Sequence, residues 1–192
     1  DIDIDVADRD LVLPLIAHTP AMQVRNGQPG KHASGVYITP VPTDSLTGIA
    51  SIDYKTAEER GYIKLELLNN TVYQLIRDQQ HYDEMMAREA PWHRFNEREF
   101  VEQIVHINNA WDLLQKVHEP INSIARVAMF IALIRPAKKY LLGLPWAEVA
   151  TKVWLPEDNG QYYFKQSHSV AYAHLVALHM NLVDTGASSQ PV

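Results

Sequence analysis

A chain of 192 residues with 46% hydrophobic and 21% charged content is ordinary for a globular protein and long enough to bury a substantial core. The absence of cysteine excludes a disulfide scaffold and any thiolate metal site, which suits a cytoplasmic chain, in the host cytoplasm if the protein is viral. No apolar run nears the ~20 residues that span a bilayer, and a net charge of −6 argues against a general nucleic-acid binder. That charge is uneven. Residues 121–192 carry Arg126, Arg135, Lys138, Lys139, Lys152 and Lys165 against Glu148, Glu157, Asp158 and Asp184, a net +2, so the acidic excess lies in the first 120 residues. No signal-peptide pattern opens the chain, and the missing initiator Met leaves room for residues upstream.

The chain begins Asp1-Ile2-Asp3-Ile4-Asp5, carboxylates alternating with β-branched residues at the period of a strand. Residues 8–18 read as a short helix capped by Asp8, and residues 19–34, rich in Pro, Gly and Asn, as a loop. A strand is expected at 35–39, a further one at 47–53, a helical turn at 56–60, and a strand at 62–68, where Ile63, Leu65 and Leu67 alternate with Lys64 and Glu66. Beyond residue 70 the period becomes helical. Val72, Leu75, Ile76 and Tyr82 mark one helix, and Phe100, Ile104, Ile107 and Leu113 a second. Residues 124–134 make a third, and residues 167–182 a last one with Ser167 as its N-cap. Strands first and helices afterwards imply an α+β fold. Residues 1–69 would form a small mixed sheet holding an acidic site, and residues 70–192 a helical region packed on it in one compact domain.

Asp1, Asp3 and Asp5 share one face of the opening strand, where their like charges repel. A pair of divalent cations, Mg²⁺ or Mn²⁺, relieves that cost, because hard oxygen ligands on a rigid strand suit such ions. Two ions about 3.5–4 Å apart can clamp both oxygens of a phosphoryl transfer. The plain alternative is a solvated edge strand whose acidity protects against aggregation. Glu66 becomes a further ligand if its strand lies beside the first; alone, it is a solvent-facing Glu. Lys31 and His32 end the long loop among small residues and could meet phosphate oxygens. Lys165, Ser167 and His168 stand at an expected helix N-terminus, which favours an anion, although an ordinary Ser cap with a surface His is the commoner arrangement. The chain has no Walker A loop, Gly-x-Gly-x-x-Gly, His-Glu-x-x-His or Gly-x-Ser-x-Gly, and its nine His do not cluster at zinc spacing.

In order, several segments resemble the bacterial replicative DNA polymerase III alpha subunit, the C family of DNA polymerases. Asp1-Ile2-Asp3-Ile4-Asp5 with Arg9-Asp10 resembles its first palm motif, whose second and third aspartates bind the catalytic metals. Gly30-Lys31-His32-Ala33-Ser34-Gly35-Val36 resembles the loop-to-strand segment that follows. Gly61-Tyr62-Ile63-Lys64-Leu65-Glu66-Leu67-Leu68 resembles the strand bearing the third carboxylate, with a Lys two residues earlier. Ile134-Arg135-Pro136 is similar to a later Arg-Pro segment, and Phe164 through Tyr172 to the Ser-His helix start that faces the incoming nucleotide. The departures are Glu66 in place of Asp, Gln166 in place of the Lys before Ser-His, Ala137 after Arg135-Pro136, and only about 30 residues between Arg135 and Ser167 where the family carries a long fingers region.

The resemblance implies a nucleotidyltransferase-like palm with partial fingers, a short phage-like relative. Asp3, Asp5 and Glu66 would be its catalytic metal ligands for Mg²⁺ or Mn²⁺. Lys31, His32, Lys64, Arg135, Lys165, Ser167 and His168 would bind the nucleotide or primer phosphate. The implied partners are a nucleoside triphosphate and a DNA primer-template. Two other readings stand beside it: a catalytically inactive palm-like protein that binds or inhibits a replication partner, and a metal-dependent phosphohydrolase.

Overall fold

The opening alternation of Asp and Ile forms strand β1 (Ile2–Val6) in the computed structural model, which describes residues 2–156 and 164–187. The architecture is α+β, an N-terminal four-stranded mixed sheet followed by a helical C-terminal half. Contacts divide the chain into two units, Asp1–Gln74 and Leu75–Val192, and each is taken by itself.

In the first unit, Asp8 caps helix α1 (Arg9–Val12), its side chain accepting from the Asp10 amide at 2.8 Å. Residues 19–34, expected as a loop, are instead a hairpin of β2 (Thr19–Arg25) and β3 (Gln28–Tyr37). Asn26 and Gly27 form its two-residue turn at φ +52° and +75°, and Arg25 pairs with Gln28 across it. Two left-handed residues in succession match the twist of the flanking strands, so Asn-Gly closes a hairpin rather than marking a loop. The strand expected at 47–53 is reduced to isolated bridges, Thr43 to Ala50 and Met22 to Asp53. Helix α2 (Tyr54–Glu59) starts under an Asp53 cap. Strand β4 (Leu65–Asn69) completes the sheet in the order β1-β4-β3-β2. The core of this unit is built from small residues, Ala21, Ala50 and Ala57, around Tyr37 and Val41.

Two of the expected helices in the second half are broken. The Val72–Tyr82 pattern divides into a single 3₁₀ turn (Thr71–Leu75) and α3 (Gln79–Ala87), because Asp78 takes an extended conformation and caps α3 through the His81 amide. The Phe100–Leu113 pattern divides into α4 (Arg98–Val101) and α5 (Trp111–Leu114), with His106 between them at φ +65°, which no α-helix admits. Its apolar residues still face inward: Phe100, Ile104 and Ile107 are each at most 2% exposed. Helices α6 (Ile124–Leu133), α7 (Trp146–Lys152) and α8 (Gln166–Asp184) follow. α6 is buried throughout residues 127–133 and packs on α8, where the buried Ser169 hydroxyl donates to the Ala128 carbonyl at 2.6 Å. Ser167 is not the cap of α8. Lys165 occupies that position without a side-chain hydrogen bond, and Ser167 is an exposed residue of the first turn. Among the described residues no helix is long and apolar enough to cross a membrane.

Candidate functional site

β1 and β4 run parallel, with Asp3 opposite Glu66 and Asp5 opposite Leu68. Residues in register on neighbouring strands share a face, as do residues two apart on one strand. Asp3, Asp5 and Glu66 therefore stand on one face of the sheet, with Asp3 and Asp5 exposed. Asp5 accepts a hydrogen bond from the Asn70 amide at 3.3 Å. Asp1, expected on the same face, lies outside the described residues.

Glu66 is held on both oxygens. Lys64 Nζ donates to Oε1 at 2.7 Å and Ser34 Oγ to Oε2 at 2.7 Å. The Lys64 side chain is only 4% exposed and that of Glu66 20%, so this is a largely desolvated ion pair and not a surface bridge. Burial pushes the Glu66 carboxyl up, but the hydrogen bonds from Lys64 and Ser34 and the Lys64 charge outweigh it, leaving the group below its usual range. The ammonium also lies 4.4 Å from the centre of the Tyr54 ring, which contributes a cation–π attraction.

A bulge in β3 brings His32 and Ser34 into this cluster. Met22 pairs with Lys31 and Pro20 with Val36, so residues 32–35 all lie opposite the single residue Ala21. Bulges re-aim side chains, and here the His32 ring folds back so that Nδ1 accepts from the Ser34 and Gly35 amides at 3.3 and 2.9 Å. An accepting Nδ1 puts the proton of the neutral ring on Nε2, which then faces Lys64 Nζ at 3.5 Å as donor against donor. That contact is not a hydrogen bond. Burial first, and then the charge of Lys64, lower the His32 pKa, with Arg25 and Arg9 adding to the same effect, so the ring is neutral at pH 7. Gly35 is opposite Glu66, and a Cβ there would lie 2.6 Å from Lys64 Cδ; the missing side chain is the space through which the lysine stem passes.

The donor chemistry of this face suits a hard divalent ion, three carboxylates with none of the soft ligands. The arrangement does not suit one as it stands. Both Glu66 oxygens are engaged, and among the described residues no group of three His, Asp or Glu side chains is disposed to hold a metal.

Sequence reasoning overlooked three contributors. Ser34 stands within the segment that contains Lys31 and His32, and its proximity to Glu66 follows only from the bulge. Tyr54 carries no motif at all. Arg9 buries Nε and Nη2 without a hydrogen-bond partner, leaving guanidinium donors unused in a unit that already carries Lys31, exposed on β3.

The remaining expected residues lie in the second unit. Arg135 is stacked over Phe164 at 5.0 Å, and its Nε is buried without a hydrogen-bond partner. Phe164 lies 6.1 Å from the His168 ring and 5.2 Å from Tyr172, which in turn stacks on His106 at 4.1 Å. The structure thus brings Arg135 and His168 to one aromatic cluster, whereas Lys165 and Ser167 are exposed at the start of α8. Arg135 also lines a 450 Å³ cleft with His106, Asn108 and Asn109. Comparison with protein-family models, with curated proteins and with solved structures returned no match.

Proposed function

We propose that the chain is a divalent-metal-dependent nucleotidyltransferase with a palm-like sheet, a reduced relative of the DNA polymerase III alpha subunit acting on a nucleoside triphosphate and a DNA primer-template. The observation that carries this reading is the parallel pairing of β1 with β4, which sets Asp3 opposite Glu66 with Asp5 on the same face. Mg²⁺ or Mn²⁺ would supply charge neutralisation of the attacking and leaving oxygens there. The chain's own part is to present Asp3 and Asp5 as exposed oxygen donors. The cations for phosphate carried by the first unit are Arg9, Lys31 and Lys64 beside a neutral His32. The second unit by itself carries Arg135, with an unused guanidinium donor, Lys165, and the first-turn Ser167 and His168 of α8 as expected phosphate ligands.

Primer extension with dNTPs and Mg²⁺ or Mn²⁺ tests the reading. Asp3→Asn and Asp5→Asn should each abolish transfer while the fold survives, because both side chains are exposed. Glu66→Asp restores the carboxylate of the resembled family and shortens it away from Lys64. It lowers activity if the glutamate is a tuned variant and raises it if the glutamate disables the site. The capture of Glu66 by Lys64 and Ser34 favours a second reading, an inactive palm-like protein that binds or inhibits a replication partner. A folded protein that neither transfers nor hydrolyses a nucleotide, on any primer and with either metal, would decide for that second reading.

A further inference from the structure

The second unit, taken by itself, places a guanidinium that lacks an acceptor in a cleft with two carboxamides and an apolar wall. We propose, independently of the reading above, that this cleft binds a small organic carboxylate, a monoanion with an apolar body, through the N–H edge of Arg135. Arg135 is half-buried, its Nε is withdrawn from water without a hydrogen-bond partner, and among the described residues no carboxylate pairs with it. A desolvated, charged donor left unpaired is unfavourable, and a bound oxyanion is the group that satisfies it best. The guanidinium is also held in place, its centre lying over the Phe164 ring at 5.0 Å. That contact occupies the face of the cation and leaves its edge for an acceptor. The 450 Å³ cleft beside it falls within the size range of small-ligand sites. Asn108 and Asn109 supply neutral polar groups, and Leu113 and Ile134 an apolar wall. His106 closes one side, stacked on Tyr172 at 4.1 Å and held at φ +65°, a conformation that a residue other than glycine keeps only where its surroundings fix it.

Charge decides between a carboxylate and a polyanion. Among the described lining residues Arg135 is the only permanent cation, and none is Asp or Glu. Arg135 also follows directly on the end of α6, whose last carbonyls carry negative partial charge. One cation at that end of a helix balances a single negative charge, not the several of a di- or triphosphate. The apolar wall then takes the body of the ligand, and the carboxamides orient its carboxylate. Under the nucleotide reading, Lys165, Ser167 and His168 remain as the phosphate ligands of this unit.

NMR titration of the full chain with benzoate and with isovalerate, each set against its uncharged amide, tests it. Both carboxylates should move the Arg135 Nε–H signal and the side-chain amide signals of Asn108 and Asn109 in one saturable step, and benzamide and isovaleramide should not. Arg135→Met should weaken carboxylate binding by roughly tenfold or more. Lys139→Met, which removes an exposed cation outside the cleft, should change it by less than about twofold. Equal weakening by the two variants would mean general electrostatics and would overturn the proposal. Saturation by the amides, or by neither carboxylate, would overturn it as well. Tighter binding of inorganic phosphate or a dNTP at the same signals would overturn the carboxylate assignment and favour the nucleotide reading. Primer extension fails or succeeds separately, since it depends on Asp3 and Asp5 in the first unit. Should Arg135→Met fail to fold, the unmutated protein still decides: benzoate that saturates without moving the Arg135 Nε–H signal overturns the proposal.

Discussion

The first unit closes on Ala21, Ala50 and Ala57 around Tyr37 and Val41, whereas the second packs Phe100, Ile104, Ile107, Phe130, Ile131, Leu133 and Met180 around α6 and α8. Burying a large aliphatic or aromatic side chain is worth about 1.5–3 kcal/mol, and an alanine contributes much less. The second unit therefore rests on apolar area, with polar groups added singly: Ser169 to Ala128, and Asn181 to the Met85 and Arg88 carbonyls at 2.9 Å each. The first unit has little such area and instead buries a charge, Lys64, whose partners are a carboxylate, an aromatic face and a bulged strand. A unit stabilised by a polar network is sensitive to geometry and charge; one stabilised by area is sensitive to volume. The carboxylate face belongs to the former, since Glu66 is held by Lys64 and Ser34.

The largest expected effect is in the second unit. Phe130 is 1% exposed on α6, which packs on α8 and α7, and Phe130→Ala should lower stability by about 3–5 kcal/mol in chemical denaturation, by lost transfer energy plus the cavity. Hydrogen exchange should show the loss concentrated in α6 and α8. A cost below about 1 kcal/mol would mean that this core collapses around the gap and does not depend on volume as argued.

One buried group makes the second unit pH-sensitive as well. His179 accepts the Val105 amide on Nδ1 at 3.0 Å, and burial lowers its pKa from 6.5 to about 4. Protonating Nδ1 would set two N–H groups against each other in a dry site. Because the folded pKa lies below the unfolded value, the unfolded chain binds the extra proton between the two. Stability is then full above about pH 6.5 and falls as pH drops toward 4, with a total loss on the order of 3 kcal/mol. His179→Asn keeps an acceptor for the Val105 amide but cannot titrate, so its unfolding free energy should be flatter over that window. An unchanged slope would assign the acid sensitivity to other groups.

Legibility in the sequence followed how local each signal is. β1, the Asp8 cap and α6 depend on neighbours within a few residues, and all form as their periodicity implies. The hairpin of β2 and β3 was hidden because Pro20, Gly27, Pro29 and Gly30 resemble loop composition, although Asn26-Gly27 is itself a hairpin signal. The Phe100–Leu113 stretch kept its inward-facing residues but lost its continuity at His106, since helical spacing records which side chains are buried and not whether hydrogen bonding is unbroken. In the candidate site, the shared face of Asp3, Asp5 and Glu66 was legible from period-2 alternation plus one assumption about strand neighbours. Lys64 beside Glu66 was legible too, as opposite charges two apart on one strand. The contacts of Ser34, His32 and Tyr54 were not, because they depend on a register shift that no local pattern encodes.

The smallest expected effect tests the geometric sensitivity of the first unit most directly. Gly35 has no left-handed backbone to maintain, so alanine there meets only a steric cost. Its Cβ would lie 2.6 Å from Lys64 Cδ, 3.1 Å from Lys64 Cγ and 3.0 Å from His32 Nδ1. Lys64 cannot swing aside freely, because its ammonium is tied to Glu66 and its side chain is almost wholly buried. Gly35→Ala should therefore cost about 1–3 kcal/mol, as overpacking does elsewhere. The cause is separable from a general intolerance of the bulge by a double-mutant cycle. In a Lys64→Ala background the stem is gone and the added methyl has room, so most of the Gly35→Ala penalty should vanish. If the penalty persists undiminished, the strain belongs to the His32 side of the bulge, and the passage of the lysine stem over Gly35 is not what holds the ammonium on Glu66.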